Sequence, residues 1–173
     1  MGFNSCRIER LLKHLERSGV SQMLVTDANS IYYLTGKMIQ SGSRLMALLV
    51  REDGNHRLFL NQIFPVPEEL GIEVTQFSDT DNVDELIACC TDHTLTLGID
   101  QKMPAGHLLA LQELGAGAAY RNTSDCLSTV RGQKDPQEQE KMREASRIND
   151  LAMAEFKNLI RPGVTELEVA RQV

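Results

Sequence analysis

The sequence predicts a three-layer α/β domain, a mixed β-sheet with helices on both faces, and three observations lead there. Short apolar segments of strand length alternate with segments of helical periodicity from Ser5 to Tyr120, and only a sheet packed by helices buries both kinds. HRLFLN follows SRLMALLV across Asp53-Gly54, the strongest hairpin signal in the chain, so one strand pair is antiparallel and the sheet is mixed. With 173 residues and 42% hydrophobic content, the chain has room for one good-sized domain, or for one domain and a piece of another.

Each element has its own signal. Ile8, Leu11, Leu12 and Leu15 recur at helical spacing, with Ser5 as the expected cap and Gly19 ending the run. SQMLVTD (Ser21 to Asp27) reads as a strand, and ANSIYYLTG as a short helix closing at Gly36. The hairpin pairs Ser43 to Val50 with His56 to Asn61. GIEVTQFS alternates as a strand does, and DNVDELIACC reads as a helix capped by Asp81. TLTLGID (Thr94 to Asp100) is a strand, PAGHLLALQELG a helix with Pro104 near its first position and Gly115 past its end, and AAYRNTS a further strand. The domain is thus expected over residues 1–131, ending near Val130, with RGQKD as a linker.

In residues 132–173, Asp135, Pro136 and Glu138 carry the capping signals of a long helix. Met142, Ala145, Ile148, Ala152, Phe156 and Leu159 mark one face of it, a stripe that needs a packing partner. Arg161-Pro162-Gly163 break that helix, and Thr165 with Glu168 opens another, expected to run from Glu166 to Val173.

Composition excludes several classes of function. A net charge of −6 disfavours broad phosphate binding, so no nucleic-acid partner is expected. The helical stripe of Arg7, Arg10, Lys13 and Arg17 is interrupted by Glu9 and Glu16 and reads as a solvated face. The longest apolar run, Leu45 to Val50, is far too short to cross a bilayer, and no apolar stretch near the start precedes a cleavage site. The Met-Gly start lacks the Ser or Thr of a myristoylation signal, Cys6 standing in its place. A cytoplasmic protein without a membrane partner is expected, and its four cysteines (Cys6, Cys89, Cys90, Cys126), without C-x-x-C spacing, are expected as buried, reduced thiols.

No catalytic centre is visible. His14, His56, His93 and His107 lie on separate elements, without the spacing of a zinc site. The acidic run SDTDNVDE lacks the glycine and terminal glutamate of a calcium loop, and helix capping by Asp81 with a solvated first turn accounts for it. GAGAAY follows a helix and opens a strand, the reverse of a dinucleotide fingerprint. Neither GxSxG nor a Walker lysine is present. Tyr32 and Tyr33 stand beside the loop GKMIQSGSR, which reads as a binding rim or a plain structural turn.

The order of the pieces is distinctive. IERLLKHLERSGVSQMLVTDANSIYYLTG, LTLGID, STVRGQKDPQEQEKMREASRINDLAM and RPGVTELEVA together resemble the start of an Xaa-Pro dipeptidase or aminopeptidase P of the creatinase and prolidase family. Its most specific parts are Tyr33-Leu34-Thr35-Gly36; Arg131, Lys134, Glu138 and Glu140 with Met142-Arg143-Glu144-Ala145 behind them; and Arg161-Pro162-Gly163-Val164-Thr165-Glu166. The resemblance implies an N-terminal domain of ribonuclease H-like topology, with residues 132–173 as the linker and first helices of a truncated pita-bread catalytic domain. It implies that the parent binds two divalent metal ions (manganese, cobalt or zinc) on two aspartates, one histidine and two glutamates, none of which can be placed on this chain. The chain itself is then a non-catalytic segment without a cofactor, serving dimerisation and substrate access in a homodimer that cleaves Xaa-Pro bonds. In that role the loop after Gly36 reaches toward the partner's active site, with Tyr32, Tyr33 and Arg44 as a cross-dimer substrate rim. Lys37 departs from the family's aromatic at that point. Two alternatives stay open: a protein-binding or scaffolding module from a metal-free pita-bread homologue, and a creatinase-like hydrolase.

Overall fold

The structure is a computed structural model and describes residues 4–68 and 70–172. The expected end of the last helix at Val173 and the Met-Gly start lie outside the described residues. The chain divides into two compact units, one ending at Gly132 and the other beginning at Gln133.

The first unit holds a six-stranded sheet. Its strands are β1 (Gln22–Val25), β2 (Ala47–Arg51), β3 (Arg57–Asn61), β4 (Glu73–Phe77), β5 (Thr96–Ile99) and β6 (Ala119–Asn122), in the spatial order β4-β3-β2-β1-β5-β6. β2 runs antiparallel to both its neighbours, β1 and β3, while the pairs β3–β4, β1–β5 and β5–β6 are parallel. One edge of the sheet therefore gathers the carboxyl ends of β1, β3, β4, β5 and β6 together with the start of β2.

The central strands are buried on both faces, and successive residues feed two separate cores. Met23, Val25, Leu48, Val50, Leu58 and Leu60 join one core with α1 (Ser5–Arg17), α2 (Ala28–Thr35) and α5 (Ser124–Gly132). Leu24, Ala47, Leu49, Phe59 and Leu97 join the other with α3 (Val83–Ala88) and α4 (Ala105–Glu113). The register agrees with this division, because Met23 pairs with Val50 and Leu24 with Leu49 across the β1–β2 ladder. A one-residue slip would exchange the two sets, so burial on both faces fixes the pairing.

Several boundaries differ from expectation for local reasons. Asn4 caps α1 in place of Ser5, its side chain accepting the Arg7 amide at 3.2 Å, and Ser5 is already helical. Asn82 caps α3 in place of Asp81, accepting the amides of Asp84 and Glu85, while Asp81 accepts the Ser78 amide one turn earlier. The strand read through Ser124 ends at Asn122, whose side chain accepts both the Ser124 amide at 3.0 Å and its hydroxyl at 2.6 Å. That turn launches α5, a helix absent from the sequence reading, which buries Cys126, Leu127 and Val130. Arg131 and Gly132, read as linker, complete it. In GAGAAY the backbone comes close to β5: a Cβ on Gly117 would lie 2.9 Å from the Leu97 Cβ. Of the four thiols only Cys126 is buried; Cys90 is half-buried, and Cys6 in the first turn of α1 and Cys89 at the C-cap of α3 are exposed.

The second unit consists of α6 (Pro136–Leu159) and α7 (Glu166–Ala170). Both open with complete capping boxes, Asp135 with Glu138 and Thr165 with Glu168. No residue of α6 is fully buried: Met142, Ala145, Ile148 and Ala152 of its apolar stripe are exposed, and Phe156 and Leu159 are half-buried.

Candidate functional site

The strand-end edge of the first unit carries the loops that sequence reading singled out. Approach to it begins in α2, where Asp27 caps the helix by accepting the Ser30 amide at 2.9 Å. Leu34 and Thr35 are fully buried, and Gly36 closes the helix at φ 70°, a left-handed conformation that a side chain would resist. The Thr35 hydroxyl donates to the Ile31 carbonyl at 2.7 Å and accepts the Lys37 amide at 3.2 Å. Tyr33-Leu34-Thr35-Gly36 is thus a rigid stalk from which residues 37–46 depart.

The three rim residues divide between that stalk and the surface. Tyr33 is 7% exposed; its hydroxyl donates to the Val130 carbonyl at 3.2 Å, and the Arg7 guanidinium lies 4.2 Å from its ring centroid. Arg7 also donates to the Tyr33 carbonyl at 2.8 Å, so Tyr33 joins α1, α2 and α5 from inside instead of lining a surface. Tyr32, its neighbour, is 44% exposed. Arg44 is also on the surface, where its Nε and Nη2 donate to the two carboxylate oxygens of Asp79 at 2.7 and 2.6 Å.

Nothing in the sequence pattern sets Asp79 apart from the other carboxylates of the run SDTDNVDE. It lies just past the end of β4 and links three segments. Besides Arg44 it accepts the Asn61 side-chain amide at 2.7 Å, and the Asn61 side-chain oxygen, Oδ1, accepts the Ile63 backbone amide at 3.1 Å. Asn61 itself, at the end of β3, is 1% exposed. Hydrogen bonding to the Arg44 guanidinium is the main reason the Asp79 carboxyl is held down to about 2, with Asn61 adding to it. The loops 37–46 and 62–66 adjoin here, an added Cβ on Gly42 lying 4.0 Å from the Phe64 ring, and they present Met38, Ile63 and Val66 to solvent.

Farther along the same edge, a cleft of about 220 Å³ opens between the ends of β1 and β5. Its polar groups are held by one another. Asp100, 4% exposed, accepts the Thr26 amide and hydroxyl and the amides of Asp27 and Lys102. Asp27 accepts the Ser30 hydroxyl at 2.6 Å and lies 3.3 Å from Arg131, which also donates to Ser30. The motif arginine therefore clamps α5 to the start of α2. A cleft of about 350 Å³ lies at the opposite edge, around Gln22, Arg51 and Asp92, where Gln22 forms a two-way bridge to the Asp92 backbone.

The acidic run SDTDNVDE also resolves into separate roles. Asp79 takes Arg44, Asp81 closes a turn, and Asp84 pairs with His107 between α3 and α4 at 2.9 Å. Among the described residues no group of three or more His, Cys, Asp or Glu is placed to hold a metal ion, and no helix is long and apolar enough to cross a membrane.

Comparison with known proteins gives the arrangement its context. Residues 7–133 match the Creatinase/Prolidase N-terminal domain family. An Xaa-Pro dipeptidase of Lactobacillus helveticus is 28% identical over 175 residues, covering 96% of this chain and 48% of that protein. The chain spans about half the length of the curated relatives it matches. A dipeptidase structure from Pyrococcus horikoshii OT3 superposes with a TM-score of 0.79 at 25% identity, covering 96% of this chain and 48% of that one. A structure of the creatinase/prolidase N-terminal domain alone, from an X-Pro dipeptidase of Streptococcus pyogenes, shows the same fold at a TM-score of 0.60 and 20% identity, covering 75% of this chain and all of that one. The six-stranded mixed sheet, the helices on both its faces and the match over residues 7–133 have one conclusion: the chain belongs to the creatinase/prolidase N-terminal domain family.

Proposed function

We propose that this chain is the non-catalytic N-terminal part of a proline-specific metallopeptidase, and that its strand-end rim controls substrate access to a partner's active site in a cytoplasmic homodimer. The observation that carries the reading is the family match over residues 7–133 in a chain that spans about half the length of an Xaa-Pro dipeptidase. Residues 132–173 are then the linker and opening helices of the catalytic domain. The two capping boxes and the exposed part of the α6 stripe, Met142 to Ala152, support this, since helices so firmly started need a surface to pack on. Bound in that domain, two divalent ions would supply Lewis-acid activation of the scissile carbonyl. The residues of this chain would bind and orient the peptide: Tyr32 and Arg44 at the surface, with Tyr33 holding the stalk beneath them.

The test is hydrolysis of Xaa-Pro dipeptides with manganese. The 173-residue chain alone should give no turnover, while the full-length protein encoded with it should hydrolyse them. Turnover by the 173-residue chain, or a full-length protein without the two Asp, one His and two Glu of the metal site, would overturn the reading. The second outcome would point to a protein-binding module or a creatinase-like hydrolase.

A further inference from the structure

We infer that Asp79 is the positioning residue of the rim, binding the loop before β2 and the loop after β3 into one unit, and that by neutralising Arg44 it sets which peptides the rim admits. The first half stands on geometry alone, and the second rests on the proposed peptidase reading. Three segments remote in sequence meet at this carboxylate. Arg44 comes from loop 37–46, Asn61 from the end of β3, and Asp79 from the turn after β4. The parallel β3–β4 ladder aligns Asn61 with Phe77 and so sets Asp79 within reach of Asn61. Both carboxylate oxygens are engaged, and through Asn61 the same group holds the Ile63 amide. Asp79 therefore reaches both loops that present Met38 and Ile63.

The charge consequence follows from the bidentate pairing. A guanidinium matched to a carboxylate at two points has little residual attraction for a second carboxylate. With Asp79 in place the rim offers apolar surface at Met38, Ile63 and Val66 beside a neutralised arginine, a setting for peptides whose first side chain is uncharged. Remove the carboxylate and Arg44 becomes an open anion-binding group on the same loop.

Hydrogen exchange in the 173-residue chain tests the positioning. With Asp79→Asn, amides of residues 37–46 and of Ile63 should exchange about tenfold faster while those of β1 stay unchanged, as local opening without global unfolding requires. Arg44→Gln should loosen residues 37–46 and leave Ile63 protected, because Asn61 still holds it. Equal exchange in wild type and Asp79→Asn, or acceleration extending through β1, would overturn the proposal. The charge role is tested in the full-length protein with manganese, by the ratio of kcat/KM for Glu-Pro over Leu-Pro. Asp79→Asn should raise that ratio several-fold, and adding Arg44→Gln should return it to the wild-type value, which a purely structural role would not do. An unchanged ratio would overturn the charge role. Absence of turnover in the wild type would strike the peptidase reading instead, and exchange would still decide the positioning.

Discussion

Two stretches that touch in sequence, Tyr33-Leu34-Thr35-Gly36 and the loop 37–46, behave as opposites. The first is packed to nearly zero exposure at Tyr33, Leu34 and Thr35, and its glycine ends α2 in a left-handed turn. The second carries Met38 at 59% exposure; Ile39 and Met46 anchor it in the core near its two ends, and between them Arg44 ties it to the surface carboxylate of Asp79. One of the stretches that carry the family resemblance is thus the support, while the stretch proposed to meet a ligand has little pattern of its own. A motif can be recognisable because packing constrains it strictly, and it then says where a functional loop starts without saying what the loop does.

The largest effect that would break this contrast is on stability. Leu34→Ala removes a fully buried side chain between α2 and the sheet, and such truncations cost about 2–5 kcal/mol. Met38→Ala, four residues on, should stay within about 0.5 kcal/mol. Chemical denaturation of the two variants measures both, and similar midpoints would mean that the stalk and the loop are not mechanically distinct. Next in size is Gly36→Ala, which places a side chain at φ 70° and should cost about 1–2 kcal/mol.

What could be read from the sequence follows the same division. The alternation of strands and helices, the Asp53-Gly54 hairpin and both capping boxes of the second unit depend on neighbouring residues, and pattern alone finds them. Asn4 and Asn82 were displaced by one position, because Ser, Asp and Asn cap with similar strength and only backbone geometry chooses among adjacent candidates. α5 was hidden because Asn122 turns the chain by bonding to Ser124, a local hydrogen bond that competes with the strand read through it. The Arg44–Asn61–Asp79 hub was beyond reach, since Arg44 and Asp79 are 35 residues apart and meet only through sheet register. The sequence places Tyr32 and Tyr33 together at the rim, yet adjacent residues on a helix point in different directions, and only Tyr32 faces solvent.

The smallest effect is the response to acid, and it separates the rim from the hairpin at the other edge. Asp79 is lowered from its ordinary 3.8 to about 2, chiefly by its hydrogen bonds with Arg44. A depressed carboxyl stabilises the fold fully above its unfolded value and loses that contribution as pH falls through the folded one. Protection of residues 37–46 should accordingly hold from neutral pH down to about 4 and fade toward 2. His56 responds earlier. Its Nδ1 accepts the Arg51 amide at 3.2 Å, and burial lowers its pKa below the ordinary 6.5, so the folded hairpin favours the neutral ring. That stability is complete above 6.5 and is lost as pH falls through the lowered value, so the urea midpoint should begin to decline while the rim is still intact. Monitoring the Asp79 carboxyl by NMR alongside the urea midpoint distinguishes the two: His56→Gln should flatten the decline near neutrality and leave the Asp79 titration in place, whereas Arg44→Gln should raise the Asp79 midpoint toward 3.8 and leave the His56 response unchanged. A single common transition in the wild type would mean that the edges are coupled and that the rim does not open on its own.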